Sequence, residues 1–141
     1  MGSDRVFSHA IEVRFRDCDP MGHVNHAVFL TYLEQARFAY WRAVSHNTPG
    51  PGAGIIIARV ECDFRAPILM GDPIDVRLWV SEIGRSSFML DYEIVRLTDE
   101  RVVATARTVI VAYDYSAGRS VPIPDDMRAR LEQARLTPAG R

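Results

Sequence analysis

The sequence predicts an α+β fold: a curved antiparallel sheet of about five strands wrapped around one long helix. Three observations carry this. One segment, NHAVFLTYLEQARFAYWRAVSH (25–46), holds no Gly or Pro and is apolar around most of its circumference, as a buried helix is. One β-patterned segment precedes it and four follow with no helix between them, and antiparallel hairpins need no crossover helices. The chain has 141 residues, 48% of them hydrophobic, which suits a single domain around one core. One sheet cannot close around a helix. The remaining side is therefore expected to be covered by another subunit, most simply by twofold association.

The elements follow in order. Residues 9–17, HAIEVRFRD, alternate: Ile11, Val13 and Phe15 share one face, Glu12, Arg14 and Arg16 the other, which predicts a half-buried strand. DPMG ends it with a Pro/Gly turn, and Asn25 is placed to cap the helix. The helix stops before NTPGPGAG, the most breaker-rich stretch of the chain. Beyond it, IIIARVECDFRAP sets Val60, Cys62 and Phe64 against Arg59, Glu61, Asp63 and Arg65. DPIDVRLWVSEIG sets Ile74, Val76, Leu78 and Val80 against Asp75, Arg77 and Trp79, so Trp79, like Met89 later, is expected outward. RSSFMLDYEIVRLTDE and RVVATARTVIVAYDY read as a hairpin joined near Thr98–Arg101, with Thr108–Tyr113 apolar on both faces. PDDMRARLEQARL is a short charged helix, expected on the surface. All of 1–141 is read as one domain, with a core over about 8–115 and this C-terminal helix over about 124–135.

Composition excludes several classes. A net charge of −1 is no electrostatic footprint for nucleic acid or an anionic membrane. No apolar run reaches membrane-span length, MGSDRVF lacks a signal-peptide core, and Val6 breaks the myristoylation pattern, so a cytoplasmic protein is expected. Cys18 and Cys62 form no CxxC unit and read as reduced thiols packed as small hydrophobes.

Chemistry concentrates in RDCDPMGHVNH. If the period of two persists, Asp17 and Asp19 point to the core and Cys18 points out. An inward carboxylate beside a helix N-terminus suits a general base or nucleophile, whereas Asp before Pro also suits a plain turn; the pattern leaves Asp19 open between the two. DCDPMG imitates a calcium loop, but Met21 and Val28 stand where oxygen ligands are required. His23, His26, Asp17 and Asp19 have no recognised metal spacing. A Cys18–His26 pair conflicts with strand phase, and no GxSxG elbow exists. Glu34 is either an exposed partner of Arg37 at i+3 or a base facing a partner's groove. The first helical N–H groups, near His26, have no intrahelical acceptor and suit an oxyanion.

FRDCDPMGHVNHAVFLTYLEQAR (15–37) resembles the signature of the 4-hydroxybenzoyl-CoA thioesterase-like acyl-CoA thioesterases of the hotdog superfamily, with Asp17, Asp19, Gly22, Val24, Asn25 and His26 in the matching positions. RVECDFRAPILMGDPIDV resembles that family's second and third strands through Arg65, Pro67, Gly71 and Asp72, and the likeness spans about 8–115. The resemblance implies a hotdog fold and hydrolysis of an acyl-CoA or acyl-carrier-protein thioester. It makes Asp19 the catalytic carboxylate and the backbone N–H of His26 the group that polarises the thioester carbonyl, with Asn25 and Gly22 shaping the loop. It puts the site at a dimer interface, where Arg59, Arg65, Arg85, Ser86 and Ser87 are candidates to meet the CoA arm. Glu34 stands as a backup, since another hotdog branch uses a Glu on this helix. Asn25-His26 departs from the Trp-Tyr or Tyr-His pairs of some members, which bears on aromatic preference.

Further expectations follow. Coenzyme A is part of the substrate, no metal or cofactor is required, and no nucleic acid or membrane partner is expected. The assembly is a homodimer or a homotetramer built as a dimer of dimers. A non-catalytic acyl-CoA binder and a hotdog dehydratase or hydratase are the alternatives.

Overall fold

The computed structural model describes residues 6–45 and 54–135. The order is β1 (Phe7–Ile11), a single 3-10 turn (Phe15–Asp17), α1 (His26–Ser45), β2 (Gly54–Phe64), β3 (Ile74–Ile83), β4 (Ser87–Arg96), β5 (Arg101–Asp114), β6 (Arg119–Ser120) and α2 (Asp125–Ala134). The strands form one antiparallel sheet in the order β1-β3-β4-β5-β2, with the two-residue β6 beside β5. This is the expected hotdog architecture with β6 added. The NTPGPGAG loop lies almost wholly outside the described residues.

The core lies between α1 and one face of the sheet. Phe29, Tyr32, Leu33, Ala36 and Tyr40 of α1 meet Val76, Leu78, Leu90, Ile94 and Ile110 of the strands, all buried. α1 is not buried all round within one chain. Ala27, Leu30, Thr31, Glu34 and Phe38 are exposed and recur every three to four residues, so they form one uncovered stripe. At the edge of the sheet β2 pairs, among the described residues, only with β5. A register shift between Ile57 and Arg59 resets its phase, so Ile57 and Val60, three apart, line the same groove against α1.

Four expectations are corrected. β1 does not run to residue 17. Its ladder with β3 ends at the Ile11↔Ile74 pair, where β3 begins; just before it the chain turns, the Asp72 N–H donating to the Leu69 carbonyl at 3.1 Å. Phe15 is consequently 82% exposed instead of in the core. The 3-10 turn that replaces the strand also breaks its phase. Cys18 turns inward to pack against the core, its thiol 3.9 Å from the Arg14 carbonyl. Trp79 is buried in the single chain; α2 packs along β3, and the chain just past it bridges Val80 at Arg135. α2 itself is anchored: Leu131 is buried, and the Arg128 guanidinium donates to the carbonyls of Gly84 and Arg85 at 2.7 and 3.1 Å.

Candidate active site

The site is built by a short loop between two anchors. Cys18 and Val24 form an antiparallel bridge, and the Asp19 N–H donates to the His23 carbonyl at 2.8 Å, so residues 18–24 make a minute hairpin. The Gly22 N–H closes its turn on the Asp19 carbonyl at 2.9 Å. Gly22 has φ 83°, in the left-handed region; a Cβ there would meet nothing within 4 Å, so backbone conformation and not crowding is what calls for glycine. The hairpin is stitched to the β2–β3 connection by Val24 N–H donating to Ile68 O at 2.8 Å and by a His23–Leu69 bridge. That connection is held in turn by Leu69 N–H donating to Asp72 Oδ2.

The two acids of the motif are built oppositely. Asp17 is 3% exposed and accepts from the Arg14 N–H (2.9 Å), the Arg14 guanidinium (3.2 Å) and the Tyr32 hydroxyl (2.8 Å). Burial by itself would push its pKa up. The hydrogen bonds from Arg14 N–H, the Tyr32 hydroxyl and the guanidinium outweigh that and hold the carboxyl below its ordinary value. Sealed by three donors, it cannot reach a substrate. Asp19 is half-buried. Its Oδ1 accepts the N–H groups of Met21 (2.9 Å) and His23 (3.2 Å), while Oδ2 has no hydrogen bond among the described residues. The turn reading and the catalytic reading of Asp19 are therefore compatible: one oxygen fixes the loop and leaves the other free. The inward direction argued from strand phase for both acids holds fully for Asp17, while Asp19 is half-buried.

The helix N-terminus is capped as expected. Asn25 Oδ1 accepts the Ala27 N–H at 2.9 Å, and the Asn25 carbonyl accepts that of Val28. The His26 N–H, first of the helix, has no acceptor among the described residues. Its exposed imidazole lies edge-on to Phe64, centroids 6.0 Å apart, and Phe64 packs on Phe29. His26 therefore presents its backbone donor while its ring is turned to an aromatic neighbour. No group of three or more His, Cys, Asp or Glu side chains among the described residues is arranged to hold a metal.

The remaining candidates are dispersed. An open groove of about 290 Å³, lined by Leu30, Thr31, Leu33, Glu34, Arg37, Ile57 and Val60, runs between α1 and β2 from one turn past His26. Glu34 lies in it, exposed, and does not pair with Arg37, whose guanidinium instead reaches the Tyr92 hydroxyl at 3.3 Å. Arg65 follows Phe64 directly and donates to Thr105 Oγ1 at 3.2 Å. Arg59 is exposed, 3.6 Å from Glu61. Arg85, Ser86 and Ser87 are not brought to Asp19 within one chain. Ser87 pairs with Val111 whereas Phe64 pairs with Ala104, seven residues away along β5, or roughly 23 Å at about 3.3 Å per residue. Reasoning from the sequence missed Tyr32 and Arg14 as partners of Asp17. The signal was present, since a tyrosine on a buried helix face needs a partner for its hydroxyl.

Residues 13–131 match the model of the Thioesterase-like superfamily. A Thermus thermophilus thioesterase solved with coenzyme A and Zn is 35% identical, with 92% of this chain and 93% of that one covered and a TM-score of 0.81. The 1,4-dihydroxy-2-naphthoyl-CoA hydrolase of Nostoc punctiforme is 30% identical over 95% of this chain and 92% of its own. The long-chain acyl-CoA thioesterase FadM of Escherichia coli is 24% identical over 87% of this chain and 95% of its own.

Proposed function

The chain belongs to the thioesterase-like superfamily and is a thioester hydrolase; on that premise we propose that it cleaves acyl-CoA thioesters with Asp19 as the reacting carboxylate. The observation that carries this is the pairing of a carboxylate oxygen, Asp19 Oδ2, with a helix N-terminus whose first donor is the His26 N–H, neither of which has a hydrogen-bond partner among the described residues. The substrate carbonyl lies against that N-terminus. As the carbonyl becomes tetrahedral, its oxygen gains negative charge and is stabilised by the His26 N–H and the positive end of α1. Oδ2 either attacks the carbonyl carbon, forming a mixed anhydride that water then hydrolyses, or takes a proton from the water that attacks; in both routes the C–S bond breaks and the thiolate leaves. Asn25 and Gly22 hold the loop in which both groups sit. The chemistry proposed draws only on the carboxylate and the amides, with no metal or cofactor.

We place the working site between two copies of the chain. The free edge of β2, the exposed apolar residues Ile56, Val60 and Phe64 upon it, and the exposed Leu30 and Phe38 of α1 support a twofold partner there. Antiparallel pairing of two β2 edges would bring the partner's turn at 85–87 toward this chain's Asp19 and His26, uniting catalytic and CoA-binding groups. The acyl group, aromatic or aliphatic, would occupy the groove beside Glu34.

The test is release of free thiol from a panel of acyl-CoA and acyl-carrier-protein thioesters by the wild type and Asp19→Asn, with molecular size measured alongside. Free CoA from the wild type and its loss in the variant are expected. Undiminished turnover by the variant sinks the assignment, and a hydrated acyl-CoA without free thiol points to a hydratase.

A further inference from the structure

We propose that Tyr32 and Asp17 are positioning residues: together they set the distance between the Asp19 carboxylate and the His26 N–H. The inference rests on the reading of Asp19 given above.

Asp17 holds both halves of the site with separate groups. Its carbonyl accepts the N–H of Asn25, the cap residue, at 2.9 Å, and so fixes where α1 begins. Its carboxylate accepts the Tyr32 hydroxyl at 2.8 Å, six residues into the same helix, and so fixes the helix body against the turn 14–17. Two residues on, Asp19 is tied into the hairpin that opens at Cys18. Tyr32 and Asp17 are 1% and 3% exposed, so neither meets substrate. Their interaction is short and shielded, whereas Arg14, the charge partner, is half exposed. If the turn slid relative to the helix, Asp19 and the His26 N–H would separate. Reactions between held groups lose about a hundredfold in rate for a displacement of about 1 Å. Packing alone would be served as well by phenylalanine at 32 and an apolar residue at 17, without the cost of burying a carboxylate.

The experiment compares kcat, KM and thermal stability for Tyr32→Phe, Asp17→Asn, Asp17→Ala and Leu131→Ala, with Asp19→Asn as reference. Leu131, buried on α2, is a stability control away from the loop. Tyr32→Phe is expected to lower kcat about tenfold or more with KM within about threefold, while Leu131→Ala loses stability and keeps its kcat at temperatures where it is folded. Asp17→Asn, which keeps an oxygen to accept the Tyr32 proton, is expected to retain more kcat than Asp17→Ala. The proposal is overturned if folded Tyr32→Phe turns over at the wild-type rate, or if Asp17→Asn and Asp17→Ala lose kcat equally. A fully active Asp19→Asn removes the reading of the site itself; an inactive Asp19→Asn beside a fully active Tyr32→Phe removes only the lock.

Discussion

The two ends of α1 carry the same residue in opposite circumstances. Tyr32, near the N-terminus, and Tyr40, two turns later, are both buried. The Tyr32 hydroxyl donates to Asp17, and burial together with that carboxylate pushes its pKa up. The Tyr40 hydroxyl has no partner among the described residues; its ring meets Phe7 edge-on, and burial pushes its pKa up to about 12. Of these two tyrosines, the one beside the Asp19 loop makes a polar contact, and the other packs by its ring. A buried polar group that is satisfied specifies geometry, and one that is not only costs stability.

The largest effect that would break this comparison is chemical. Asp19→Asn is expected to lower kcat by roughly a hundred- to a ten-thousandfold, the usual worth of a positioned acid or base. Because Asn keeps an oxygen for the N–H groups of Met21 and His23, its melting temperature should stay near that of the wild type; a variant that loses both fold and activity would make Asp19 a turn residue only.

Gly22→Ala comes next. Forcing a Cβ at φ 83° costs about 1–2 kcal/mol, to be read from denaturant midpoints, and should slow turnover by disturbing the loop around Asp19.

The acid limb of stability isolates Asp17. Its folded pKa lies below its ordinary 3.8, so its contribution is present in full above that value and is lost as pH falls through the lower folded value. Urea unfolding followed from pH 6 to pH 3 should show stability declining toward acid in the wild type, with a shallower decline in Asp17→Asn. An unchanged slope would remove Asp17 from the account.

The smallest effects lie away from the loop. Tyr40→Phe removes a buried hydroxyl with no partner among the described residues and should be neutral or stabilising by up to about 1 kcal/mol; a loss above that would reveal a partner. Arg85→Ala, in an exposed turn, should raise KM for acyl-CoA a few-fold and more so at low salt, with kcat and melting temperature unchanged.

Much of the fold was legible because its signals are local. The α1 segment has no breaker, Asn25 stands where a cap is needed, and β2 to β5 alternate. The gaps have physical causes. The alternation of Ile11, Val13 and Phe15 continues past the point where the sheet can accept a strand, because the limit is set by where β3 begins, at Ile74 after the turn at 69–72, some sixty residues away. Trp79 has an outward phase, yet it is buried within the single chain. At the site, the pattern left Asp19 open and the family resemblance singled it out; the inward direction argued for both acids holds fully for Asp17, while Asp19 is half-buried.

The sequence by itself determined α1 and its cap, the four strands that follow it and the turn at Asp19–Gly22, which depend on backbone preferences and periodicities that act over a few residues; it also carried the resemblance to a thioester-cleaving family. Only the tertiary structure decided which acid is sealed and which has a free oxygen, since that depends on where Tyr32 and Arg14 arrive when α1 docks on the sheet. It also decided that α1 and β2 keep an apolar stripe uncovered, because burial belongs to packed surfaces and cannot be assigned one residue at a time.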